Sequence, residues 1–428
     1  MALSPESQNF NPKFEKQVGV PSRAARCAVS IRAAAVDTHF IALVYILGAM
    51  VTSRGAATVR SWSVLLAVAL LVGACAEGSD APQTPAIPMQ ESTAAVSAAA
   101  DPELAARSQS VLDAAVTADE PGCSAAVGFE GDVVWAGSRG LADLETGGEI
   151  TKDTTFDIAS VSKQFTAAAI LLLAQTGKLS LDDSLATHVS GLPAWAQTVT
   201  VAQVMNQTSG IPDYIGLLED EGYEYSDRTT QEQALQALAN VSELEFEPGE
   251  RFDYSNSNYF LLGVVVQRVS GRPLPAFLSA EVFKPLDLAM VMDPRAIPGS
   301  ALPYSYDDAV DEYTVAVTAW EQVGDGGVQT TPSQLVRWAD NYRTGKVGGQ
   351  RLLDAQLAGA ADTGGDGDRY GAGIFVLSDG SLDHDGSWAG FVTAFHVSAD
   401  RRTAVAVSCN TDTQDPGAVA EELEGIWL

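Results

Sequence analysis

From about residue 101 onward, apolar residues follow helical or strand periodicity along the chain. Helical spacing predicts a helix over 102–118 and another over about 415–427. Runs rich in β-branched and aromatic residues predict a pair of strands over 123–140, joined at a Glu-Gly-Asp turn. A second strand pair is predicted over 390–398 and 403–408. Both ends of this region therefore carry the same elements in mirrored order.

The segment between these ends, roughly 160–370, is mostly helix and loop and contains no internal repeat. Sheets and helices must bury their apolar faces against another layer. The pattern therefore predicts a mixed α/β fold of the α+β type. Its sheet is built from both ends of the body, flanked by the terminal helices and interrupted by a large, mostly helical insertion.

An apolar run precedes this body. Residues 62–74 read WSVLLAVALLVGA, with Arg54 and Arg60 before them and Cys75 after them. A membrane-spanning helix needs about 20 apolar residues, so the run is typical of a signal peptide. Its end resembles a bacterial lipobox, which implies lipidation of Cys75. An uncleaved anchor, or cleavage near Ala74 without a lipid, is the alternative.

Another apolar stretch, 40–51, lies upstream, and Met50 would begin a signal of ordinary length. We therefore expect 1–74 to be a signal region in which 1–49 is an over-extended start. Residues 75–100 are rich in Pro, Ala and Ser, which predicts a flexible linker to a globular body at 101–428.

Composition narrows the classes of partner. The 428 residues include 25 Lys and Arg against 55 Asp and Glu, a net charge of −30, with 46% hydrophobic residues. Phosphate contacts need clustered basic side chains, so a nucleic-acid partner is excluded. Four histidines, four cysteines and the absence of CxxC and HExxH motifs argue against a metal site. We expect no cofactor, and membrane contact only through a lipid anchor.

The sharpest chemical signal is the S-x-x-K motif of Ser160 and Lys163, at the start of the apolar segment FTAAAILLLAQTGK. This segment predicts a buried central helix, with both side chains on one face near its amino terminus. Free N–H groups there favour a developing oxyanion, and a buried lysine can lose its proton and activate a serine. The alternative is a capping serine beside a lysine that extends to solvent.

Two further polar groups carry candidate chemistry. Tyr254 and Asn256 lie two residues apart just before an apolar helix, where both could enter one cleft. His384 and Gly386 form H-x-G at the edge of a strand, where glycine would let a substrate backbone approach. In isolation, an ordinary polar helix start and a β-turn are the better explanations of these two segments.

The order S-x-x-K, Y-x-N, H-x-G resembles the serine hydrolases related to β-lactamases and penicillin-binding proteins. It is most similar to the branch of class C β-lactamases, D-Ala-D-Ala carboxypeptidases and esterases. The phrases MNQTSGIPDY, EPGERFDYSNSNY, VGDGGVQTTPSQLVRW and HDGSWAGF extend the similarity over about 105–428. The resemblance implies an antiparallel sheet of the β-lactamase/transpeptidase type.

The resemblance also implies roles. Ser160 would attack a carbonyl and form an acyl-enzyme, while Lys163 and Tyr254 would transfer its proton and then that of the deacylating water. Asn256 would contact the acyl group. The backbone N–H groups of Ser160 and Ser387, the residue after Gly386, would form the oxyanion hole.

Two positions depart from the family pattern. His384 stands where many members have a lysine that recognises a substrate carboxylate. Histidine, with an ordinary pKa of about 6.5, is only partly charged near neutrality. Efficient penicillin hydrolysis is therefore disfavoured, and esterases, amidases and D-amino-acid peptidases are nearer models. Gln207 replaces a histidine, for which we expect only a structural consequence.

Cys123 opens the first predicted strand and Cys409 follows the last. The fold implied by the resemblance makes these strands antiparallel neighbours, which implies a disulfide; two buried free thiols are the alternative. A disulfide suits an oxidising compartment, so we expect an exported protein at the periplasm or cell surface.

These observations predict an exported serine hydrolase that acts through an acyl-enzyme on an ester, an amide or a small D-amino-acid peptide. The alternatives are a true β-lactamase and a non-catalytic penicillin- or peptide-binding protein of the same fold. The G-x-S-x-G motif of α/β-hydrolases does not occur in the chain.

Overall fold

A computed structural model describes residues 101–428. The signal region, the linker and Cys75 lie outside the described residues. The helices are α1 Pro102–Ala115, α2 Lys163–Gln175, α3 Leu185–His188, α4 Val201–Met205, α5 Tyr214–Asp220, α6 Gln231–Ala239, α7 Asn256–Ser270, α8 Leu274–Leu278, α9 Pro332–Ala339, α10 Asn341–Thr344, α11 Gly349–Leu357 and α12 Pro416–Trp427.

The strands are β1 Cys123–Phe129, β2 Asp132–Arg139, β3 Leu141–Asp143, β4 Gly148–Glu149, β5 Phe156–Asp157, β6 Val291–Met292, β7 Tyr304–Asp307, β8 Glu312–Val315, β9 Val328–Thr330, β10 Ala361–Asp362, β11 Arg369–Tyr370, β12 Phe375–Val376, β13 Leu382–Trp388, β14 Phe391–Val397 and β15 Thr403–Cys409. Short 3₁₀ turns at Ala159–Ser162, Ala194–Gln197 and Lys284–Leu286 and a π turn at Ser279–Phe283 complete the elements.

An eight-stranded antiparallel sheet has the order β10-β11-β12-β13-β14-β15-β1-β2. The strands from the two ends of the described chain meet at β15 and β1, which pair from Cys123 with Cys409 to Phe129 with Thr403. The prediction of a sheet built from both ends is confirmed. The structure adds β10–β12, because strands of two residues carry too little periodicity to be recognised in the sequence.

Helices cover both faces of the sheet. On one face α1 and α12 pack against each other and the central strands, around a core that includes Leu112, Val405 and Leu423. On the other face lie α9 and the main core, in which α2 packs against α7. Because both faces are covered, β1 and β15 are buried on both sides.

Helix α2 is the buried central helix that the sequence predicts. Its residues from Lys163 to Leu171 are all buried. It begins at Lys163, whereas Ser160 lies in the preceding 3₁₀ turn. The two side chains nevertheless stay one turn apart. Among residues 101–428, no helix combines the length and the apolar character needed to span a membrane.

The structure joins Cys123 and Cys409 by a disulfide, as the resemblance implies. The two residues are directly opposed in the register of β1 and β15. The bond therefore ties the first described strand to the last one.

Candidate active site

The turn that carries Ser160 is held tightly on both sides. Strand β5, just before the turn, pairs with β9, and the Val328 N–H donates to Ser162 Oγ at 3.0 Å. Ala159 adopts a positive φ of 48°, which is costly for a residue with a Cβ. The buried Asp157 carboxylate accepts the Ala159 N–H at 2.8 Å and stabilises this conformation. Burial raises the pKa of Asp157 to about 7.

Strand β13 passes directly beside this turn. A Cβ on Gly386 would lie 2.3 Å from the Ile158 carbonyl oxygen and 3.1 Å from the Ser160 nitrogen. Glycine is therefore required for the close approach. Strand β12 pairs only with the start of β13, at Leu382 and Asp383. Beyond these residues, the edge of β13 that carries Gly386 and Ser387 faces the Ser160 turn.

Lys163 is completely buried and connects Ser160, three residues before it, to two groups that are distant in sequence. Its Nζ donates to Ser160 Oγ at 2.9 Å, to Asn256 Oδ1 at 2.8 Å and to the Asp325 carbonyl oxygen at 2.8 Å. Burial lowers the pKa of Lys163 to about 8, while the charges of Asp325 and Asp213 oppose that fall. A large fraction of this amine is therefore neutral at a mildly alkaline pH.

The Tyr254 side chain contacts the same Ser160 hydroxyl group as Lys163. The centre of its ring is 4.9 Å from Lys163 Nζ. Burial raises the pKa of Tyr254 well above its ordinary value, and a hydrogen bond with the Ser160 side chain opposes the rise. The phenol therefore keeps its proton at neutral pH and can donate it. The structure brings together Ser160, Lys163 and Tyr254, three of the residues predicted from sequence.

Asn256 begins α7 and is oriented by a carboxylate that sequence reasoning missed. Asp213 Oδ2 accepts from both the backbone N–H and the Nδ2 of Asn256, each at 2.9 Å. This leaves Asn256 Oδ1 directed at Lys163. Burial raises the pKa of Asp213, although these N–H donors and Lys163 oppose the rise.

Asp325 is the second acid that sequence reasoning missed. Its carbonyl oxygen accepts a hydrogen bond from Lys163, and its carboxylate Oδ2 accepts one from the Tyr214 hydroxyl at an oxygen–oxygen distance of 2.9 Å. Thr166 of α2 donates to the neighbouring Gly324 carbonyl at 2.7 Å and fixes this loop. The phrases IPDY and VGDGG, which contain the two acids, were visible in the sequence. No spacing rule connects either phrase to Lys163.

Gln207 forms hydrogen bonds with the backbone on both sides of Tyr254. Its carbonyl oxygen accepts the Asp253 N–H at 2.9 Å, and its Oε1 accepts the Ser255 N–H at 3.1 Å. The same Oε1 accepts from Asn258 Nδ2. Gln207 is completely buried and has a φ of 59°. The position expected to be only structural therefore holds the backbone on both sides of Tyr254.

His384 does not carry the partial positive charge that the sequence predicts. It is completely buried, with Nδ1 2.6 Å from the Asp385 carbonyl oxygen and Nε2 3.2 Å from the Tyr370 hydroxyl. Burial, followed by the charge of Lys163, lowers the pKa of His384 to about 3. The expectation of partial charge near neutrality is wrong, because ordinary imidazole behaviour assumes solvation. Its ring packs 6.3 Å from that of Tyr254.

Comparison with known proteins is consistent with this geometry. The family model described as Beta-lactamase matches residues 108–424. Penicillin-binding protein 4* of Bacillus subtilis (strain 168) is 26% identical over 318 residues, covering 69% of this chain and 70% of that protein.

Two solved structures are similar in fold. The D-stereospecific amidohydrolase from Streptomyces sp. has a TM-score of 0.62 at 24% identity, covering 75% of this chain and 98% of that one. The D-amino acid amidase from Ochrobactrum anthropi SV3, complexed with L-phenylalanine amide, has a TM-score of 0.65 at 22% identity, covering 76% and 98%.

Proposed function

The chain belongs to the Beta-lactamase family of serine hydrolases, and from that premise we propose that it forms an acyl-enzyme on Ser160 and hydrolyses an ester, an amide or a small D-amino-acid peptide. The observation that carries this proposal is the contact of Lys163 Nζ with Ser160 Oγ at 2.9 Å. Lys163 has a lowered pKa, and the Tyr254 side chain contacts the same Ser160 hydroxyl group.

In this mechanism, neutral Lys163 takes the Ser160 proton while Oγ attacks the substrate carbonyl carbon. The backbone N–H groups of Ser160 and Ser387 hold the resulting oxyanion. Losing one such donor typically costs about 10²–10³ in rate. As the tetrahedral intermediate collapses, Tyr254 donates its proton to the leaving group, and protonated Lys163 restores the phenol proton.

Deacylation reverses these transfers. A water molecule loses a proton to neutral Lys163, with the Tyr254 hydroxyl as a relay, and its oxygen attacks the acyl carbonyl. The intermediate then collapses to the free acid as protonated Lys163 returns that proton to Ser160. Asn256 has two parts in this proposal: it holds Lys163 in place and lies where an acyl group would enter. Its orientation by Asp213 supports the first part.

The neutral, enclosed His384 argues against a substrate that needs a cation for its carboxylate. We therefore place esters, amides and D-amino-acid derivatives ahead of penicillins as substrates. A true β-lactamase and a non-catalytic binder of the same fold are the alternatives.

One experiment separates these three. The protein and its Ser160→Ala variant are incubated with a fluorophosphonate and, separately, with a fluorescent penicillin. Labelling of the wild type by the phosphonate alone supports the proposal. Rapid turnover of the penicillin would identify a β-lactamase, and stable labelling by both probes would indicate an enzyme that recognises penicillin. A wild type that neither probe labels would favour the non-catalytic binder.

We also propose that the protein is exported and lipid-anchored through Cys75. The apolar run ending at Ala74 and the disulfide between Cys123 and Cys409 support export. Palmitate should label the full chain in a bacterial host and should not label the Cys75→Ala variant. Equal labelling of both proteins would contradict the anchor.

A further inference from the structure

Three aromatic side chains from separate segments form one cluster, which we call the aromatic wall: Tyr225, Trp320 and Trp388. The ring centres of Tyr225 and Trp320 are 5.3 Å apart and stacked. Trp388 meets Tyr225 at 5.2 Å and Trp320 at 6.0 Å, both edge to face. Such geometries are favourable beyond the area they bury.

Trp320 is the fixed base of the wall. It is 3% exposed, and its Nε1 donates to the Glu224 carbonyl at 3.0 Å. The Ala319 N–H donates to the Tyr225 carbonyl at 2.9 Å, which ties the two segments together. Tyr225 and Trp388 remain partly exposed. The wall therefore offers aromatic surface on a rigid support.

Strand β13 directs this surface toward Ser160. Side chains two residues apart on a strand share a face, so His384, Gly386 and Trp388 point the same way. His384 faces Tyr254, and Gly386 lies against the Ser160 nitrogen. Trp388 therefore lies on the active-site face, one residue beyond the Ser387 N–H.

A second connection reaches the site from the other side. The Tyr214 ring is 6.4 Å from Trp320, and the Tyr214 hydroxyl donates to Asp325. The Asp325 carbonyl accepts from Lys163. The wall is thus joined through direct contacts to both sides of the Ser160–Lys163 pair.

The charge around the wall disfavours anions. Glu219 and Asp213 are close enough to Tyr225 to raise its pKa, after the larger effect of burial. Their negative charge would repel a carboxylate placed on the wall. The nearest imidazole on the same strand face, His384, is neutral.

We propose that the aromatic wall is a substrate subsite for an aromatic group without negative charge, carried close to the scissile carbonyl. This inference rests on the proposed function, because it names the substrate class of the same site. A flat ring can stack on Tyr225 and Trp388 while the carbonyl carbon meets Ser160.

The test compares two esters with one leaving group, 4-nitrophenyl phenylacetate and 4-nitrophenyl acetate. We expect the wild type to favour the phenylacetyl ester in kcat/KM. Trp388→Ala and Tyr225→Ala should each lower that preference by about tenfold, the effect of one aromatic contact. Phe129→Ala, an exposed aromatic at the β1–β2 turn, is the matched control and should keep the preference.

Two arms keep the proposal falsifiable if a variant folds poorly. Phenylacetamide should inhibit the wild type more strongly than acetamide. An ester carrying a carboxylate on the phenyl ring should react more slowly than the neutral one at pH 7. Equal inhibition by the two amides, equal rates for the two esters, or an unchanged preference in both folded variants would overturn the subsite.

Failure of the subsite can be told apart from failure of the proposed function. Fluorophosphonate labelling at Ser160 reports the reactive serine without an aromatic acyl group. Labelling with no aromatic preference overturns the subsite alone, whereas absent labelling of the wild type overturns both.

Discussion

The two faces of the main sheet differ in whether they bury ionisable side chains. The face covered by α1 and α12 buries apolar side chains such as Leu112, Val405 and Leu423, next to the disulfide. The face beside the Ser160 turn contains the main apolar core and also buries ionisable groups, among them Lys163, Asp157 and His384. Apolar burial stabilises a fold in proportion to area, whereas burying a charge costs free energy unless partners offset it. Both faces stabilise the fold through apolar burial, and the second face also alters the acidity of the ionisable side chains that it buries.

Ser160→Ala should show the largest difference between an effect on activity and an effect on stability. Removing the reacting oxygen should lower kcat/KM by at least about 10⁴-fold, because no other group can form the acyl-enzyme. The unfolding free energy should change little. Ser110→Ala, an exposed serine of α1, is the matched control in ester hydrolysis and thermal unfolding assays. Retention of a tenth of the wild-type activity by Ser160→Ala would reject the acyl-enzyme on this residue.

Removing the disulfide, on the face covered by α1 and α12, should lower stability and leave activity nearly unchanged. Replacing Cys123 and Cys409 together by alanine should lower the unfolding free energy by about 2–5 kcal/mol. The kcat at low temperature should stay near the wild-type value, since neither residue contacts the Ser160 turn. Denaturant unfolding and steady-state kinetics check the two parts. A large loss of kcat in a folded double variant would show that the faces are coupled.

Substitutions of Gln207 test how accurately the Tyr254 phenol must be positioned in the active site. Gln207→Met removes the oxygen that accepts the Ser255 N–H, so the Tyr254 phenol should shift. We expect kcat to fall about 10-fold or more, with a smaller change in KM. Gln207→Glu keeps an acceptor oxygen and should recover part of the loss. The control is Gln350→Met, on the exposed face of α11. A fall in stability with unchanged kcat would assign Gln207 to the fold alone.

The smallest expected effect is the dependence of kcat/KM on pH and its shift in a variant of Asp213. Lys163 accepts a proton only when neutral, so kcat/KM should fall as pH drops below its pKa of about 8. The charge of Asp213 raises the pKa of Lys163, so Asp213→Asn should move the midpoint to lower pH. Initial rates between pH 6 and 10 check both directions. A midpoint that moves upward in Asp213→Asn would contradict the assignment of Lys163 as the base.

Periodicity was sufficient for the terminal elements. The predicted helix over 415–427 corresponds to Pro416–Trp427, and the predicted strand over 390–398 to Phe391–Val397. These elements are long and regular, so local sequence identifies them. The predicted helix start at Ser160 was displaced to Lys163, because the contacts of Asp157 with the turn favour a 3₁₀ conformation before α2.

Sequence by itself determined which reactive groups the chain possesses and, through the order of three motifs, that they belong together. Only the tertiary structure decided their protonation and alignment. Lys163 meets Asn256 and Asp325 across 93 and 162 positions of chain, and His384 loses its charge through burial. Desolvation and hydrogen bonding depend on neighbours in space, and neither periodicity nor motif spacing records those neighbours.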